Sequence, residues 1–188
     1  MRRMASTSAD FVRCENCGAP MKPVPGRDYL YCEYCSSFAF PEPSRDGVVP
    51  LGERGDAACP ICSTALATAS AAEVRVLHCA TCRGVLAEQE AFSTIVRLLR
   101  AEATGAPNPV RPVNREELER EIACPTCGRT METHPYYGPG NVVIDNCARC
   151  EVVWLDYGEL AAIRDAPGRD RGRASDANYS FIEDLLGP

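Results

Sequence analysis

No stretch of this 188-residue chain approaches the ~20 consecutive apolar residues of a membrane span. The opening residues, MRRMASTSADFVR, carry positive charge but have no apolar run behind it, so an export signal is not expected. Basic residues are in the minority: 20 Lys and Arg stand against 26 Asp and Glu, a net charge of −6. Phosphate neutralisation supplies most nucleic-acid affinity, so this balance argues against general nucleic-acid binding while leaving room for a local basic face. Neither an acid/base constellation nor the βαβ setting of a dithiol oxidoreductase is visible.

Cysteine is abundant. Twelve are present, all in Cys-x-x-Cys pairs, and none is left over. The pairs fall into three quartets: Cys14, Cys17, Cys32 and Cys35; Cys59, Cys62, Cys79 and Cys82; Cys124, Cys127, Cys147 and Cys150. Without an export route, such pairs point to a reducing cytoplasm and to metal rather than disulfides. Each quartet matches a closed four-thiolate zinc site, so three Zn2+ ions are expected, with no open coordination position for catalysis and hence no enzyme. Each unit is too small to bury a core alone, and metal binding would supply its folding energy. Thiolate ligation would make the loaded protein more acidic still.

The expected fold is a small metal-stabilised α+β chain of three tandem four-cysteine zinc ribbons, each of short antiparallel β-strands, with helices following the second and third. Residues 1–12 read as disordered and 13–40 as ribbon 1. Residues 41–57, with three prolines and three glycines, read as a linker. Ribbon 2 and an amphipathic helix occupy 58–104. A second linker with a short helix covers 105–122. Ribbon 3 and its helix cover 123–166, and a flexible tail, 167–188, carries a docking-type segment at 179–186. The units are expected as beads along the chain.

Local signals fill in these spans. Over 88–103, Phe92, Ile95, Val96 and Leu99 recur at i, i+3, i+4 and i+7, an apolar stripe too large for one ribbon to cover. It must pack on another ribbon, another copy or a partner. Asn114 with Glu117, Asp156 with Glu159, and Ser180 with Glu183 form capping boxes, predicting helices over 115–123, 159–166 and the tail segment. In the tail, Phe181/Leu185 and Ile182/Leu186 make i, i+4 apolar pairs on a helix too short to stand free, which would dock in cis or on a partner. His78 beside Cys79 reads as a surface or supporting residue, since four cysteines already fill the site. His134 reads as a loop residue.

Aligned on cysteines, the modules share an outgoing segment, a returning strand and a second knuckle, the signature of a tandem repeat. The third module opens CPTCG at 124–128 and closes VWLDYGEL at 153–160. It resembles the TFIIB-type zinc-ribbon domain of small bacterial proteins labelled transcription-factor zinc fingers. It departs from that pattern at Glu151 and Val152, where two glycines are usual. The second module looks like a degenerate copy, with Leu86 at the Trp position and Glu88 at the Asp position. The first keeps its cysteines and a CGAPM start. The resemblance implies a zinc-bound β-ribbon with a following helix, and the family name implies a link to transcription or nucleic acid.

Two functional readings follow. In the first, the protein is a non-catalytic adaptor or regulator acting through protein partners or self-association, with Phe92, Ile95, Val96, Leu99, Trp154, Phe181, Ile182, Leu185 and Leu186 as contact residues. Its support is the acidic balance, strongest in ribbon 3, where three arginines in 124–166 face six acids. In the alternative, ribbon 1 is a nucleic-acid contact face in transcription or RNA handling. Its 40 N-terminal residues hold five basic and four acidic side chains. There, Arg13, Lys22, Arg27, Tyr29 and Tyr31 combine charge with aromatic stacking surface.

Overall fold

A computed structural model describes residues 12–24 and 29–172, save the side chains of Glu53 and Arg54. Arg27 and the 179–186 segment lie outside the described residues. Ribbon 1 forms a three-stranded antiparallel sheet, β1 (Lys22–Pro23), β2 (Leu30–Tyr31) and β3 (Phe38–Ala39), in that order. The other two ribbons do not hang as separate beads. Their strands are β5 (Ala65–Ala71), β6 (Val74–His78), β7 (Val85–Glu88), β8 (Glu132–Pro135), β9 (Val143–Cys147) and β10 (Val152–Leu155). With β4 (Val48–Ala58) they build one seven-stranded antiparallel sheet, ordered β4-β5-β6-β7-β10-β9-β8.

Ribbons 2 and 3 meet where β7 pairs with β10. The register is Val85↔Leu155, Leu86↔Trp154, Ala87↔Val153 and Glu88↔Val152. Counted from the second knuckle of each module, Leu86 and Trp154 are equivalent positions, as are Val85 and Val153, and Ala87 and Leu155. The pairing therefore relates the two modules by an approximate two-fold axis between Leu86 and Trp154. Each module by itself has an exposed third strand; pairing the two removes both edges at once.

This sheet has two covered faces. On one, α1 (Gln89–Glu102) and α3 (Glu159–Asp165) pack side by side. Phe92, Ile95 and Val96 of α1, with Leu160 and Ile163 of α3, close over Val76, Val85, Ala87, Ile144, Val153 and Leu155. The apolar stripe is thus buried by the sheet shared between modules and not held out for a partner. On the other face, Trp154, Leu86, Leu66, Met131 and Ile122 pack among the cysteines of the second and third quartets. Alternation along β7 and β10 sends successive side chains to opposite cores.

The expected linker 41–57 is mostly strand. Pro50, Gly52 and Gly55 obscure its alternation, but β4 is an edge strand, where proline and bulges are tolerated, and its register with β5 shifts twice. Val48 points into the helix-side core, while Val49 and Leu51 face the other way and join Met21, Leu30 and the ribbon 1 cysteines. β4 so ties ribbon 1 to the main sheet. The second linker is also held: the Asn108 N–H donates to the Asp165 carbonyl, and Asn141 Nδ2 to the Arg111 carbonyl. The helix expected over 115–123 is only α2 (Arg115–Leu118), with Asn114 capping the Glu116 N–H at 3.1 Å. It stops early because Arg120 turns to Asp145 and Asp156, and Ile122 enters the core.

Candidate metal centres and the aromatic face of ribbon 1

Each knuckle places its sulfurs through backbone geometry. In five of the six, the first cysteine's N–H reaches the carbonyl five residues on, and its carbonyl accepts the N–H four residues on. The closing residue takes a left-handed φ, as at Gly18 (72°) and Gly128 (70°). The sixth knuckle instead shows the Cys150 N–H on the Cys147 carbonyl at 3.2 Å, and Glu151 takes the left-handed position at φ 54°.

Within each quartet the four sulfurs lie within 4.8 Å of one another. The separations are 3.5 Å for Cys14–Cys35 and Cys17–Cys32, 3.5 Å for Cys59–Cys82, 3.3 Å for Cys62–Cys79 and 3.7 Å for Cys127–Cys147. A disulfide would need about 2.05 Å. Four sulfurs about 2.3 Å from a tetrahedral zinc stand about 3.8 Å apart, so the donor set and its spacing fit zinc. In every quartet all four positions are thiols, a closed structural arrangement, and the zinc-ribbon units are non-catalytic.

Neighbouring donors favour thiolate in one cysteine of each site. The Ser37 hydroxyl, then its N–H, draws Cys35 down to about 6. Thr64 does the same for Cys62, to about 6, and the Arg129 N–H brings Cys127 to about 7. His78 joins no quartet; it is buried, and burial shifts it toward the neutral form. His134 stacks on Tyr137 with centroids 5.8 Å apart.

The residues expected as partner contacts are otherwise placed. Trp154 is fully buried, with Nε1 donating to Asp156 at 3.1 Å. Phe92, Ile95 and Val96 are buried, and Leu99 packs partly against the same core. Phe92, Ile95, Val96 and Trp154 hold the modules together and are turned into the cores, while Leu99 stays half-buried at their margin. Phe181, Ile182, Leu185 and Leu186 lie outside the described residues.

Ribbon 1 carries a cluster of outward-facing aromatic rings. Register places Tyr31 beside Phe38 and Lys22 beside Tyr31, while Leu30 and Ala39 turn inward. Centroids of Tyr29 and Phe38, Tyr29 and Phe40, and Tyr31 and Phe38 lie 5.6, 5.5 and 5.2 Å apart. Phe38 is 55% and Phe40 72% exposed. Lys22, Tyr29 and Tyr31 thus come together, whereas Arg13 folds back on the Gly18 carbonyl at 3.1 Å. Phe38 and Phe40 are not among the residues expected to form contacts, although their i, i+2 spacing after the second knuckle marks a shared strand face.

Several polar residues that brace the site have little local signal. Asp46, buried, accepts the Gly158 N–H at 2.7 Å and the Ala161 N–H at 2.9 Å, capping α3 from more than 100 residues away. Of the Asp156/Glu159 capping box only half forms: Glu159 Oε2 accepts the Asp156 N–H at 2.7 Å. The Asp156 carboxylate is taken by Trp154 and Arg120 instead. Arg100 is buried in α1, donating to the Ile163 and Ala166 carbonyls and to Asp170.

No helix among the described residues is long and apolar enough to cross a membrane. No curated protein and no solved structure matches the chain. Residues 123–166, the third ribbon and its helix, match the TFIIB-type zinc-ribbon family described as transcription factor zinc-finger.

Proposed function

We propose that this protein binds single-stranded nucleic acid through ribbon 1, in a transcription- or RNA-related role, with zinc as a structural element. The observation that carries the reading is the ring surface of Tyr29, Tyr31, Phe38 and Phe40 beside Lys22. Every base has a π-face, so such a surface takes single strands with little sequence preference. The family description over 123–166 supports the same direction. Of the residues expected to serve the adaptor reading, Phe92, Ile95, Val96 and Trp154 are buried in the cores, and the four of the tail segment lie outside the described residues. Lys22 is ion-paired with Glu33 at 2.7 Å and the chain is acidic, so stacking rather than charge would dominate and the salt slope would be shallow.

Fluorescence anisotropy with single- and double-stranded oligonucleotides across a salt series tests this. Binding of single strands, lost in Phe38→Ala/Phe40→Ala with zinc content unchanged, is expected. No binding at low salt would sink the reading. The net charge of −6 would then favour a protein partner at the same rings, in a regulatory adaptor located in the cytoplasm.

A further inference from the structure

Ribbon 1 is a third copy of a module whose other two copies show what their third strand does. β7 and β10 pair with each other across the approximate two-fold axis. β3 stands at the same place in ribbon 1: Phe38 matches Val85 and Val153, Ala39 matches Leu86 and Trp154, and Phe40 matches Ala87 and Leu155. Among the described residues no strand pairs with the outer edge of β3.

Backbone phase shows what that edge offers. The Cys32 N–H donates to the Ser37 carbonyl, and pairs alternate along an antiparallel ladder, so Ala39 bonds inward to Leu30. Phe38 therefore turns its N–H and C=O outward, and the Phe40 N–H, opposite the inward Ala39 carbonyl across one trans peptide, points the same way. In β7–β10 the Gln89 N–H donates to the Glu151 carbonyl, which sets the same phase: Val85 with Leu155 and Ala87 with Val153 bond across the junction, and Leu86 faces Trp154 in the close, non-bonded pair.

We propose that the β3 edge pairs with the β3 edge of a second copy of this chain, in the manner of β7 with β10. The register is Ala39 against Ala39, with Phe38 bonded to Phe40 of the other copy in both directions. A true two-fold requires the central residue to fit against itself. Ala39 does so, whereas the internal junction uses an unlike pair, Leu86 and Trp154, with Gly84 leaving room for the indole. The resulting six-stranded sheet sets both aromatic surfaces side by side on one face. This pairing does not rest on nucleic-acid binding.

Sedimentation equilibrium of the zinc-loaded full chain, without nucleic acid, over concentrations reaching hundreds of micromolar is the test. The expected species is a reversible dimer of twice the 20.4 kDa chain mass. Phe40→Pro deletes an outward donor and no inward bond, and should move the dimer midpoint about tenfold or more to higher concentration. Phe40→Ala keeps the N–H and should weaken it less. Zinc content checks that each variant is folded. A wild-type chain that stays monomeric overturns the proposal. So does a dimer indifferent to Phe40→Pro, which would place the interface elsewhere. A monomer that dimerises only after removal of residues 173–188 also overturns it, by making the tail the occupant of this edge. A monomer that still binds oligonucleotides would sink this inference and leave the proposed function standing.

Discussion

Leu86 and Trp154 face each other across the junction of β7 and β10, and they are the same position of a repeated module. The indole lies over Gly84, where any Cβ would overlap its six-membered ring. The smaller leucine stands opposite the indole in this close pair, where the ring is already seated over Gly84. Gly84→Ala is expected to destabilise the chain by about 1–3 kcal/mol through overpacking. The loss should be smaller when combined with Trp154→Leu. Urea unfolding of both variants and the double variant measures the coupling.

Asp46 caps α3 through two N–H groups, and the bond reaches from the start of β4 to the far module. Asp46→Ala should cost about 1–2 kcal/mol. Asp46→Asn keeps one acceptor and should cost less. Thermal unfolding of the zinc-loaded variants checks the order.

Glu159 is buried with Oε1 lacking any partner among the described residues, and burial pushes its carboxyl up to about 9. The folded state then keeps a proton that the unfolded chain releases from about its ordinary value of 4.5. Because the unfolded state binds fewer protons in that window, this group's contribution to stability falls as pH rises from about 4.5 to about 9. Glu159→Gln keeps the acceptor for Asp156 and removes the titration. At saturating zinc, the variant's stability relative to wild type should rise with pH across that window; a pH-independent difference would contradict the assignment.

Cys124→Ser should release one zinc and also loosen the second site, because the cysteines of quartets two and three share one core with Trp154 and Leu86. Cys14→Ser should release one zinc and leave those two firm, since among the described residues its core holds only ribbon 1 and β4. Metal release to a chromophoric chelator, followed over time, separates the two outcomes.

At Glu151 a side chain occupies a left-handed backbone position. Glu151→Gly should stabilise the sixth knuckle by up to about 1 kcal/mol, the relief of strain exceeding glycine's entropic cost. Slower zinc release from the third quartet would register it.

Features set by neighbours along the chain are legible from residues alone. The grouping of the twelve cysteines into three quartets follows from spacing, and α1 from the recurrence of Phe92, Ile95, Val96 and Leu99. Its span differs from the expected one by a residue at each end. What covers that stripe is not legible, because the junction of β7 and β10 joins strands more than sixty residues apart. β4 is hidden for a different reason: Pro50, Gly52 and Gly55 mimic a linker, and only Val48, Val49 and Leu51 betray the strand. Asp46 carries no local cue at all; its partners exist only after α3 has docked. The aromatic character of ribbon 1 is plain in the sequence, yet its face becomes clear only when register sets Phe38 and Phe40 beside Tyr29 and Tyr31.

β4 presents Val48 to one core and Val49 with Leu51 to another. A tether between beads can gain or lose single residues freely. This connector cannot: one residue inserted between Gly47 and Val48 and absorbed by sliding the strand would exchange the inward and outward sets, while two would restore them. The spacing of ribbon 1 from the main sheet is therefore constrained in parity, and length variants of this protein should tolerate even changes here better than odd ones.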